Sequence, residues 1–165
     1  MKKVFLILII TAVSQFANAQ AFVGKGDKKF QVGMNMQKNA TGIASSLDFG
    51  AAQNMSFGFY ATYLLNTNMP DGVNIRFEDK FDAKFRFNAN IGDVLKLNSK
   101  MDIYPGLNLG TRNFGGHLGF RYFFTDGFGV YTEASAPFAK FDSNVVGREH
   151  FNNQFIFQIG ASFNL

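Results

Sequence analysis

Phe77-Glu78-Asp79-Lys80-Phe81-Asp82-Ala83-Lys84-Phe85-Arg86-Phe87-Asn88-Ala89-Asn90-Ile91 is the stretch that decides the architecture. Phe77, Phe81, Ala83, Phe85, Phe87, Ala89 and Ile91 share one parity, and Glu78, Lys80, Asp82, Lys84, Arg86, Asn88 and Asn90 share the other. Successive side chains of a strand point to opposite faces. A period of two over this length therefore predicts a β-strand with one apolar and one charged face.

The same period recurs on both sides. Upstream, Phe30, Val32, Met34 and Met36 alternate with Gln31, Gly33, Asn35 and Gln37; Ile43, Leu47 and Phe49 oppose Ala44, Ser46 and Asp48; and Met55, Phe57, Phe59, Ala61, Tyr63 and Leu65 oppose Ser56, Gly58, Tyr60 and Thr62. Downstream come Met101 to Gly110, His117 to Phe124, Phe128 to Phe138 and Phe155 to Leu165. Eight such runs predict an all-β fold, an eight-stranded antiparallel up-and-down β-barrel, and eight strands close around an interior that side chains just fill. Closure removes the sheet edges on which such strands would otherwise aggregate. Ala51 to Asn54 and Thr125-Asp126-Gly127 read as tight turns, and Asn66 to Asn74 and Lys140 to Asn153 as longer polar loops, the asymmetry of outer-membrane barrels. Lys38 to Thr41 and Gly92 to Lys100 fit that asymmetry less well, one being short on the outer side and the other long on the inner.

The 165 residues suit a single domain. With no Cys, the chain has no disulfide, thiol nucleophile or acylation site. The net charge of +4 falls to +2 once Lys2 and Lys3 are set aside with the leader, and no Lys/Arg block is present, so no nucleic-acid partner is expected. That leader has basic Lys2 and Lys3, the apolar run Val4 to Ile10, and Ala17-Asn18-Ala19 as a small-x-small cleavage pattern, which together predict a secretory signal peptide. The apolar run is far shorter than the roughly 20 residues of a spanning helix. The expected organisation is a signal peptide over 1–19, a flexible periplasmic lead-in over 20–29 and an outer-membrane barrel over 30–165.

Which face points outward separates a membrane barrel from a soluble lipocalin-like carrier. Gly33, Gly58, Gly106, Gly110, Gly119, Gly129 and Gly160 all share the polar parity. Glycine weakens an exposed strand, but inside a narrow barrel it makes room for Lys84, Arg86, Arg121 and Glu133. The apolar parity is bulky, as a lipid-facing band is. The transmembrane arrangement is thus expected, with outer-membrane lipid as the surroundings. Because the chain has no Trp, the girdles would use Tyr60, Tyr63, Tyr104, Tyr122, Tyr131 and Phe.

The final run Phe155-Ile156-Phe157-Gln158-Ile159-Gly160-Ala161-Ser162-Phe163-Asn164-Leu165 resembles the C-terminal signal read by the barrel-assembly machinery, with Leu165 where Phe often stands. With the leader, the chain resembles small eight-stranded outer-membrane barrels of the OmpA-transmembrane-domain and OmpX type. Gln20 to Asp27, Asp102 to Leu107 and Arg112 to Gly119 look like an uncharacterised family of such proteins over the whole mature chain. That resemblance implies a fold, an outer-membrane location and a partner in the assembly machinery, but no activity.

Charges facing a narrow interior must be paired. Asp48, Glu78, Lys80, Asp82, Lys84, Arg86, His117, Arg121 and Glu133 are the expected lumen network, closing it as a plug rather than leaving a pore. No catalytic, cofactor or metal site is expected. His117 with Glu133 and Ser135 suggests acyl transfer only in the abstract, since no motif orients them. Arg148, Glu149 and His150 are the outer-loop candidates for a surface partner, and one His with one Glu makes a poor zinc site. The expected role is structural or surface-interacting. A narrow channel, a lipid-modifying enzyme and a soluble ligand carrier are the alternatives.

Overall fold

The computed structural model describes residues 20–68, 76–141 and 150–165. The proposed signal peptide at 1–19, the loop residues Arg148 and Glu149, and most of the two long loops lie outside them. The chain folds as β1 (Lys28–Gln37), β2 (Ala40–Ala52), β3 (Met55–Thr67), a one-turn helix α1 (Phe77–Lys80), β4 (Phe81–Ala89), β5 (Met101–Gly110), β6 (Asn113–Phe123), β7 (Phe128–Lys140) and β8 (Ile156–Asn164). Every strand pairs antiparallel with its sequence neighbours, and β8 returns to β1, so the sheet is a closed up-and-down barrel. The strands are strongly tilted. The paired row Gln31, Ser46, Tyr60, Lys84, Gly110 starts near the beginning of β1 and finishes at the far end of β5. We call the end where β1 begins and β8 finishes the terminal mouth, and the opposite end the loop mouth.

The start of the deciding stretch departs from the expected strand. Phe77–Lys80 is helical because Asp79 interrupts the alternation, and its Oδ2 accepts the Arg76 backbone N–H at 2.9 Å. An acid whose carboxylate takes up a first-turn N–H favours a helical turn over continued extension. Phe77 then lies between Tyr63 and Phe81, at 5.2 and 5.9 Å between ring centroids.

The barrel is apolar outside and polar inside. Phe59, Phe85, Met34, Leu109 and Leu118 expose between 46% and 60% of their surface, whereas Gln31, Asn35, Asp82, Asn88 and Arg121 are fully buried. This is the reverse of a lipocalin-like carrier. Rings mark both ends of the outer surface. At the terminal mouth Phe30, Phe163, Phe128, Phe124 and Tyr122 form a continuous chain with centroid spacings of 5.2 to 6.2 Å. At the loop mouth the Tyr63 group is joined by Phe114 against Phe138. Tyr60, Tyr104 and Tyr131 take no part in these girdles, because their parity turns them into the lumen, where they are buried.

Residues 21–27 form a tied-down seal rather than a flexible lead-in. Ala21 is buried against Phe123, and its N–H donates to Ser99 O at 2.7 Å. Asp27 Oδ2 accepts the Val23 N–H at 2.8 Å. The long turn after β4 folds under the same mouth through Leu95 N–H to Ile91 O, Leu97 N–H to Gly92 O and Gly92 N–H to Asp102 Oδ1. Among the described residues, no helix is long and apolar enough to cross a membrane, which says nothing about crossing by strands.

Candidate functional site

The lumen is filled by ion pairs and amides arranged in tiers along the axis. At the centre Arg86, projecting from β4, reaches Glu133 on β7 (Nη2 to Oε2, 2.7 Å) and Asp48 on β2 (Nε to Oδ1, 3.3 Å). One guanidinium thereby links three separate parts of the wall. It also donates to Asn88 Oδ1 at 3.3 Å and lies 3.3 Å from His117 Nε2. The same Nε2 lies 2.7 Å from Asn88 Oδ1, and Nδ1 lies 3.4 Å from Asn108 Nδ2. A proton on Nε2 donated to Asn88, with Nδ1 accepting from Asn108, satisfies the two amides and leaves the Arg86 approach to Nε2 as a packing contact rather than a hydrogen bond.

Tyr104 fills the next tier. Its ring is wholly buried, with the Arg121 guanidinium 4.4 Å and the Arg86 guanidinium 5.7 Å from the centroid. Such cation–ring contacts strengthen when desolvated. The Tyr104 hydroxyl accepts from Gln31 Nε2, whose Oε1 accepts from Ser46 Oγ. Arg121 pairs with Asp102 Oδ2 through Nε and Nη2, at 3.1 and 2.9 Å, and donates to Asn90 Oδ1. Nearest the terminal mouth, Lys29 pairs with Asp27 at 2.6 Å.

Toward the loop mouth Lys84 approaches Asp82 at 3.6 Å and donates to Asn113 Oδ1. Asn113 in turn donates to Asn152 O and Asn153 Oδ1, and Asn152 exchanges bonds with Gln37. The segment from Phe151 to Gln154 is thus folded into the mouth, with Phe151 buried against Ala40 and Leu64. The central cavity bounded by Tyr60, Lys84, Arg86, Asn108, Glu133, Ser135 and Gln158 has room for little more than a water molecule.

Seven of the nine expected lumen residues are buried inside: Asp48, Asp82, Lys84, Arg86, His117, Arg121 and Glu133. Glu78 is a correction: it rides on α1 at the rim, exposed and paired with exposed Arg76 at 2.7 Å, and stays outside the barrel. Lys80 closes the same turn and is half-buried there, outside the run of β4. His150 is exposed at the loop mouth. Asp102 is the partner of Arg121 that the charge reading passed over, although it shares the polar parity of its run. Asp27 and Lys29 were assigned to the lead-in, yet with Gln31 they continue the same parity two steps upstream, and that is the signal that would have found them.

His117 sits across from Ser135 in the β6–β7 register, but its ring nitrogens are engaged by Asn88, Asn108 and Arg86 while Glu133 is engaged by Arg86. Among the described residues, no group of three His, Asp or Glu is placed to hold a metal.

Glycine makes this filling possible. A Cβ on Gly119 would lie 2.0 Å from Tyr104 Cζ, and one on Gly106 would lie 2.4 Å from His117 Nε2. Tyr104 is wholly buried with two guanidinium groups against its ring, so it has little room to retreat. Gly119→Ala is therefore expected to cost about 1–3 kcal/mol, the range for overpacked cores. Comparing its urea midpoint with that of Gly127→Ala, where an added Cβ meets nothing within 4 Å, checks this. Equal midpoints would refute the tight fit.

These features define a class, a closed eight-stranded barrel turned inside out around a locked polar interior. The chain belongs to DUF6646, a family of unknown function whose model matches residues 12–165. No curated protein matches it. The family match agrees with the expected likeness to an uncharacterised barrel family. It adds no kinship with OmpA or OmpX.

Proposed function

We propose that this protein is an integral outer-membrane β-barrel whose lumen is a plug, with a structural or surface-presenting role rather than transport or catalysis. The observation that carries the proposal is the reversed polarity: a band of Phe, Leu, Ile, Met and Val faces out all round the barrel while charges and amides are buried. Water would penalise that outer surface, since soluble monomers rarely expose contiguous apolar patches beyond a few hundred Å². A bilayer removes the penalty, and a closed barrel leaves no backbone group unsatisfied within it.

Aromatic chains at both mouths fit the two interfaces. The leader supports export, and the C-terminal strand supports recognition by assembly machinery. The ion-paired tiers and the inward-folded Phe151 to Gln154 support the plug.

The test is heat modifiability after membrane separation. Unboiled protein from the outer-membrane fraction is expected to run at a different position on SDS gels from boiled protein. Soluble, periplasmic protein with no shift would overturn the embedding. Discrete, reproducible conductance steps from the purified barrel in planar bilayers would replace the plug by a channel.

A further inference from the structure

We infer that the mature N-terminus is Gln20 cyclised to a pyroglutamyl lactam; the inference rests on the secretory reading above. Cleavage after Ala17-Asn18-Ala19 would leave Gln20 as the first residue, with a free α-amine next to its own side-chain amide. In the cyclisation the α-nitrogen attacks the side-chain amide carbon Cδ. The N–Cδ bond forms, the Cδ–Nε2 bond breaks, a proton passes to the departing nitrogen, and ammonia leaves. The change is redox-neutral and needs no co-reactant.

The terminal mouth suits the product. Gln20 is half-buried, and the next residue, Ala21, is 1% exposed against Phe123. Its anchors are Ala21 N–H to Ser99 O at 2.7 Å and Asn164 Nδ2 to Gln20 O at 3.5 Å. These use the Gln20 carbonyl and the next amide, neither of which cyclisation consumes. A free terminus would instead add an ammonium at a half-buried residue, on a mouth that carries Lys25, Lys28, Lys96 and Lys100 and, against them, Asp93, Asp126 and the C-terminal carboxylate of Leu165. Partly desolvating a charge is unfavourable, and the lactam is neutral. It also leaves aminopeptidases no terminal amine to grip at the segment that seals the barrel.

The experiment is intact-mass measurement and N-terminal sequencing of the protein taken from the envelope of cells expressing the full-length chain. The expected result is a chain starting at residue 20, lighter by one ammonia, refractory to Edman degradation until pyroglutamyl aminopeptidase is added. The Gln20→Ala variant is expected to sequence directly. A chain starting at residue 20 with its full mass and a free amine would overturn cyclisation while secretion stands. A chain that begins at a neighbouring residue would overturn cyclisation of Gln20 while secretion stands, and one that retains Met1 would overturn both.

Discussion

Replacing Arg86 with alanine is expected to cost the barrel about 3–5 kcal/mol, the loss seen when one member of a buried ion pair is removed and its partner is left uncompensated. The value belongs at the upper end because Arg86 serves two acids. Asp48 and Glu133 are 1% and 4% exposed, and neither Asp48 oxygen has a hydrogen-bond partner. Deleting the guanidinium leaves two buried carboxylates without the cation they share.

With no Trp to report unfolding, the readout is the urea midpoint from far-UV circular dichroism, or from the unboiled gel band. Two companions sharpen it. Arg86→Lys keeps a charge but loses the fork that spans β2 to β7, so it is expected to fall between the wild type and Arg86→Ala. Arg86→Met combined with Asp48→Asn and Glu133→Gln removes every charge of the group and is expected to regain much of the loss. If Arg86→Ala alone shifts the midpoint by less than about 1 kcal/mol, the bound of an exposed pair, Arg86 is not the central lock.

The second large effect concerns the outside. Ala61 lies midway along β3 between Ser45 and Ala83, in a shallow outer groove walled by Phe30, Leu47, Phe59 and Phe85. Under the proposed embedding, Ala61→Arg puts a guanidinium near the bilayer midplane, at an expected cost of about 2–4 kcal/mol. For a water-soluble barrel the same half-exposed position would tolerate arginine to within about 0.5 kcal/mol. Urea unfolding from lipid vesicles measures the difference. A neutral or stabilising result would sink the membrane reading, whatever the fold.

Much of the architecture was legible because a strand's period of two is a local property. Phe81 to Ala89 announces its two faces without reference to any other strand, and the pattern failed only where Asp79 offered its carboxylate to the Arg76 amide and wound Phe77–Lys80 into a turn. The lumen set was legible for the same reason. Parity alone assigned Asp48, Asp82, Lys84, Arg86, His117, Arg121 and Glu133 to the interior.

Who pairs with whom was not legible. Arg121 takes Asp102 on the neighbouring strand, while Arg86 crosses the barrel to Glu133, three strands away in sequence order. That choice depends on tilt and register, which set the height of each side chain in the lumen. The closure of the mouths was equally hidden, because the Ala21 contact with Phe123 and the bonds of Asn152 to Gln37 join residues more than a hundred positions apart.

By itself, then, the sequence determined eight two-faced strands and which residues lie on the charged side, since alternation is imposed by the backbone residue by residue. Only the tertiary structure decided the partners of each buried charge, the shared role of Arg86, the placement of Tyr104 against Gly119 and the folding of both end segments into the mouths. Those depend on how closure brings distant strands to a common height, which no local pattern encodes.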